Sequence, residues 1–136
     1  MTLEEKQLLL KDLCARLPYG VKCCARYNTG SRYNTNIITI IPENGTIVTK
    51  QNELHYQQTS LIEDCRPYLR PMSSMTEEEN KEYELLANHC IVTSIGFVHL
   101  EATLLIDWLL AYHFDYRGLI EKGLALEAPE GMYKNE

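Results

Sequence analysis

Asn36-Ile37-Ile38-Thr39-Ile40-Ile41-Pro42-Glu43-Asn44-Gly45-Thr46-Ile47-Val48-Thr49 is the stretch that decides the fold. Two β-branched runs flank an Asn-Gly pair, and β-branched side chains suit a pleated, half-buried surface. Asn-Gly takes left-handed backbone at little cost, so the pattern predicts a hairpin. Working outward, Val21 to Tyr27 reads as a strand ahead of the turn Asn28-Thr29-Gly30-Ser31. Glu53 to Gln58 reads as one more. The middle of the chain is therefore a small antiparallel sheet of roughly three to five strands.

Helices bracket that sheet. Thr2-Leu3-Glu4-Glu5 is a capping box, and Leu3, Leu9, Leu10, Leu13, Cys14 and Leu17 follow at near-helical spacing. Pro18 and Gly20 stop this helix. Pro67 and Pro71 make an extended or turn-rich connector of the segment around them. Met75-Thr76-Glu77-Glu78-Glu79 then opens a second helix with another capping box, running to about Asn88, where Glu77 can pair with Lys81. Strand and helix compete over Cys90 to Val98. From Leu100 the pattern is helical, with Leu104, Leu105, Trp108, Leu109 and Tyr112 on one side. Asp115 is placed to cap a short helix over Tyr116 to Lys122 that Gly123 closes. The expectation is a single α+β domain. It comprises a helix over 2–17, a sheet over about 21–65 that can curl like a small SH3-type barrel, a connector over 66–75, helices over 76–123 and a loose tail over 124–136.

Composition excludes several classes. The 136 residues are 45% apolar and 24% charged, unlike a collagen-like, coiled-coil-only or wholly disordered chain. A net charge of −6 sets the molecule as a whole against nucleic acid and anionic membranes. Met1 to Lys6 has no basic region leading into an apolar one, which points to the cytoplasm. The five cysteines form an odd set without C-x-x-C spacing, as expected of reduced thiols in a reducing compartment. Ile91 to Phe114 is long and apolar, yet Glu101 and Asp107 inside it oppose a membrane span.

Three stretches carry a resemblance: MTLEEKQLLLKDLCARLPYGV (Met1 to Val21), PYLRPMSSMTEEE (Pro67 to Glu79) and DWLLAYHFDYRGLIEKGLALEAPEGMY (Asp107 to Tyr133). Together they resemble a family of short uncharacterised proteins common in gut bacteria of the Bacteroides group and in their phages and mobile elements. The likeness covers about half of the chain. It implies a phage or mobile-element origin and an intracellular setting, and it carries over no activity and no functional residue. In that family the sheet region, about Lys22 to Ile62, varies. The present chain departs from the pattern at Leu110 and Tyr112.

Candidate chemistry is sparse. His89, Cys90, His99, Asp107, His113 and Asp115 carry ligand atoms, but no pair has a familiar metal-site spacing, so the residues imply no cofactor and no metal. Cys14 and Cys90 fall on apolar patterns and read as core residues, not nucleophiles. The preferred reading is a non-enzymatic accessory or adaptor module that binds another protein, and the same surface admits a homodimer. One alternative is a small nucleic-acid-binding regulator. Leu13 to Pro42 holds no acid, while Arg16, Lys22, Arg26 and Arg32 bring +4 and leave nine basic against nineteen acidic residues elsewhere. Tyr19, Tyr27 and Tyr33 interleave those cations as stacking platforms. Tyr112, Tyr116 and Arg117 complete the candidate interaction surface. A metal-dependent hydrolase is the second alternative.

Overall fold

Thr2 starts the first helix as its sequence dictates. Its hydroxyl accepts the Glu5 N–H at 3.1 Å while the Glu5 carboxylate accepts the Thr2 N–H at 2.8 Å, and α1 runs over Leu3–Arg16. The computed structural model describes residues 1–26, 30–51, 56–92 and 98–133, with side chains at all of these except 51, 56, 89–92 and 98–101. Five strands follow: β1 (Val21–Arg26), β2 (Arg32–Ile41), β3 (Thr46–Gln51), β4 (Tyr56–Leu61) and β5 (Cys65–Leu69). Two helices come next, α2 (Glu77–Val92) and α3 (Val98–Ala111), and a short strand β6 (Leu126–Glu127) ends the set. The chain is α+β, and the sheet order is β4-β3-β2-β1-β5-β6.

Every pairing is antiparallel except β5–β6. Among the described residues no pairing joins β4 to β6, so the sheet is open and does not close as an SH3-type barrel. The Pro42-Glu43-Asn44-Gly45 hairpin forms as read. Pro42–Asn44 makes one 3₁₀ turn, and Gly45 takes the left-handed φ of 63° that lets the chain reverse into β3.

One face of the sheet is the core. Leu9 and Leu13 of α1 pack on Val21, Cys23, Ala25, Ile37, Ile47, Cys65 and Leu69, each buried Leu, Ile or Val contributing about 1.5–3 kcal/mol. Leu119, Leu124 and Ala125 close the same core from the C-terminal side. The expected loose tail is therefore packed. The Ala128 N–H donates to the Leu69 carbonyl at 2.7 Å, and β6 pairs with β5.

Other boundaries shift for local reasons. The expected connector is partly β5, because its prolines sit where extended backbone is wanted: Pro67 is a buried strand residue. No helix forms over Tyr116 to Lys122; that stretch is a run of turns with Gly118 and Gly123 at positive φ. Asp115 therefore caps no helix; its carboxylate instead accepts the N–H groups of Leu119 and Ile120, four and five residues on, at 2.9 Å each and holds the turns together. Cys14 is exposed, not core. The helix read as ending near Asn88 continues to Val92, and residues 93–97 of the strand-or-helix segment lie outside the described residues, as do Tyr27, Asn28, Thr29 and Glu53.

Tyr133 ties the tail to the sheet in an unusual way. Past the pair Cys23–Pro67, the next rung between β1 and β5 is bridged by its hydroxyl, which accepts the Lys22 N–H at 3.2 Å and donates to the Tyr68 carbonyl at 2.7 Å. Tyr133→Phe removes both bonds at once. Chemical denaturation is expected to register a loss of about 1–3 kcal/mol, with faster amide exchange at Lys22.

Candidate functional site

Arg70 follows β5, and the chain then turns at Pro71 to begin α2. Glu79, at the third position of that helix, accepts the Thr76 N–H at 2.9 Å, while the Thr76 hydroxyl accepts the Glu79 N–H. The same carboxylate receives Arg70 through both oxygens, at 2.7 and 2.8 Å. These bonds from Arg70 hold the Glu79 carboxyl down at about 2, against burial and with help from Thr76. The guanidinium lies 4.2 Å from the centre of the Phe114 ring, which stacks on Trp108 at 5.7 Å. Trp108 in turn contacts Tyr112 at 4.8 Å and donates its indole N–H to Glu82 at 2.9 Å. One cation and five aromatic or acidic side chains thereby lock β5, α2 and α3 to each other.

Beside this lock lies an open cleft of about 1030 Å³. It is lined by Tyr19, by Arg70, Pro71, Ser74, Thr76 and Glu79, by the end of α3 through His113, and by the strap from Glu127 to Tyr133. His113 is only 4% exposed and holds a φ of 66°, a conformation that costs a non-glycine residue about 1–3 kcal/mol. Its ring stacks on Tyr133 with centroids 3.7 Å apart. Tyr19 and Tyr112 are exposed at 36% and 38%. Glu127 and Glu130 are exposed carboxylates without an ion pair among the described residues. Arg70 and Glu79 neutralise one another, so the cleft carries a net negative charge.

The described candidate interaction residues separate into four places. Tyr19 and Tyr112 reach the cleft. Lys22, Arg26 and Arg32 belong to the face of the sheet turned away from α1. Arg16 is no surface residue at all: it is 1% exposed, bonded through Nε to Asp12 at 2.6 Å and through Nη2 to the Phe114 carbonyl at 2.8 Å. Tyr116 lies beneath it, with the Arg16 and Arg117 guanidinium carbons 5.7 and 4.9 Å from its ring centre. Arg117 meets the second Asp12 oxygen at 3.0 Å. Tyr33 turns to the core side, sharing a hydrogen bond with the Thr49 hydroxyl at 3.0 Å, and so cannot stack a base beside Arg32.

Sequence reading overlooked Glu127, Glu130, Arg70 and Glu79 as a group because they come together only when the tail folds back. The signal was nonetheless present, since all sixteen residues lining the cleft fall within the three stretches quoted for the resemblance. Cys23 and Cys65 meet in the core, where the hydrogen bond that the Cys65 thiol gives to Cys23 and burial push that thiol well above its ordinary range, away from nucleophilic use. Among the described residues no three His, Cys, Asp or Glu side chains gather to hold a metal ion, and the side chains of His89, Cys90 and His99 lie outside them. No helix among the described residues is long and apolar enough to cross a membrane. No family model, curated protein or solved structure matches the chain.

Proposed function

We propose that this protein is a non-enzymatic accessory module of phage or mobile-element origin, working in the cytoplasm as an adaptor for another protein. The cleft is its docking point, and it receives a lysine or arginine side chain of the partner. The observation that carries this reading is the pair Glu127 and Glu130, exposed and free of ion pairs among the described residues, across the same cleft as Tyr19 and Tyr112. A cation placed between carboxylates and aromatic rings gains charge-assisted hydrogen bonds and cation–π attraction together. The Arg70–Glu79 lock supports it by keeping the surroundings rigid, which lowers the ordering cost of binding.

The test is capture from host lysate by the intact protein, scored by mass spectrometry. A protein partner is expected, lost by at least about tenfold with Glu127→Gln, Glu130→Gln, since about 1.4 kcal/mol is tenfold in affinity. Free arginine should compete while citrulline, its neutral isostere, should not. Capture that ignores both the double variant and arginine would remove the proposal, as would turnover of a small compound that depends on His113.

A further inference from the structure

The second face of the sheet, opposite α1, is covered at one end, where Met132 and Tyr133 lie against Lys22 and Tyr68, and elsewhere exposes Arg26, Arg32, Asn34, Asn36 and Lys50. Alternation along the strands places Lys22 and Arg26 of β1, Arg32 of β2, Lys50 of β3 and Arg66 of β5 on it, and none of its described positions is acidic. Register joins what sequence distance hides. Lys22 pairs with Asn36, and the Ile37–Thr49 pair brings Lys50 beside Asn36 from the other side. Cys24 stands between Asn34 and Arg66 in the next row, and Arg26 pairs directly with Arg32 in the one after.

That last pair is costly in the protein alone, because like charges directly opposite each other destabilise an antiparallel pair. Arg26 has only a 4.0 Å contact with Asp64 to offset it, and Arg32 and Lys50 hold no ion pair among the described residues. Lys22 and Arg66 are partly engaged by backbone carbonyls, of Met132 and of Glu63 and Cys65. One of the two amides between the cations is held in place: the Tyr68 hydroxyl donates to Asn34 Oδ1 at 2.8 Å.

We infer that this open sheet face binds single-stranded nucleic acid, its cations meeting phosphates and Asn34 and Asn36 meeting base edges. The four strands that carry the cations, at about 4.8 Å spacing, span roughly 14 Å, too wide to enter a major groove of about 12 Å, so a duplex is not the fitting ligand. Exposed bases of a single strand can lie across such a face. The negative net charge sits elsewhere, with Glu77, Glu78, Glu79, Glu82 and Glu84 all on α2. This inference is independent of the cleft.

Fluorescence anisotropy with labelled single-stranded DNA and RNA of about 20 nucleotides tests it at about 50 mM salt, with the matching duplex and phosphatidylserine vesicles as comparison arms. The expected result is single-strand binding whose log–log salt slope is about −2 to −3.5, from three to five phosphate contacts. Arg32→Glu, Lys50→Glu should weaken it at least about tenfold, while Lys122→Glu on another surface should leave it unchanged. Arg32→Gln, Lys50→Gln repeats the test without charge reversal, and circular dichroism confirms each fold. No single-strand binding at low salt, binding indifferent to these substitutions, or stronger binding to duplex or vesicles would each overturn the inference.

Discussion

Asp12→Ala is expected to cost about 3–5 kcal/mol of folding stability, the largest loss from any single side chain outside the apolar core. Asp12 is fully buried and stands between two guanidiniums, with Oδ2 at 2.6 Å from Arg16 Nε and Oδ1 at 3.0 Å from Arg117 Nε. The Arg117 contact is Coulombic: neither its Nε nor Oδ1 finds a hydrogen bond there. Remove the carboxylate and two guanidiniums remain beside the Tyr116 ring with no anion to balance them. Thermal unfolding should show a Tm lower by about 10–20 °C. Arg117→Gln makes the contrasting case, because the buried pair that remains is neutral, and its loss should stay within about 1 kcal/mol. Asp12→Leu combined with Arg16→Met and Arg117→Met should recover most of the loss, since replacing buried ions by apolar groups removes their desolvation cost. An Asp12→Ala loss below about 1 kcal/mol would mean that water already screens the cluster.

The same cluster marks where sequence reading stops. Leu9, Asp12, Leu13 and Arg16 are spaced i, i+3, i+4, i+7 and are all buried on one face of α1. The apolar members of that face were legible, but an Asp–Arg pair four apart usually sits in solvent, and the cation was read as surface. What buries it is the Phe114 to Arg117 turn, nearly a hundred residues away in sequence. Caps and turns needed no such partner. Thr2 with Glu5, Thr76 with Glu79 and the Asn44-Gly45 hairpin depend on neighbours within a few residues and formed as expected. The basic face lies between these limits. Arg26 and Arg32 were visible as an acid-free run, whereas Lys50 and Arg66 join them only through strand register, which no local pattern fixes. The cleft is the extreme case. Its carboxylates belong to a tail that shows no period, and the pairing of β6 with β5 and the docking of Tyr133 bring them to Tyr19 and Tyr112.

Acidification should release the Arg70 lock, and the sign follows from the depressed Glu79 carboxyl. Its folded value of about 2 lies below the ordinary 4.5, so the stabilisation is complete above about pH 4.5 and fades as pH falls toward 2. A shift of this size corresponds to about 3 kcal/mol, and the side chain is only 14% exposed, so screening takes little from it. Glu79→Gln keeps the shape and one hydrogen bond to Arg70 but abolishes the charge. The variant should lose about 2–3 kcal/mol at neutral pH and little near pH 2, where the native carboxyl is itself about half protonated and the unfolded one fully so. The single tryptophan gives a local readout, because Trp108 is separated from Arg70 only by the Phe114 ring. Its emission in the wild-type protein should shift in the same acid window and stay flat in Glu79→Gln. A stability gap between the two proteins that is equally large at about pH 3 and pH 7 would show that the carboxylate charge is not what holds Arg70 against Phe114.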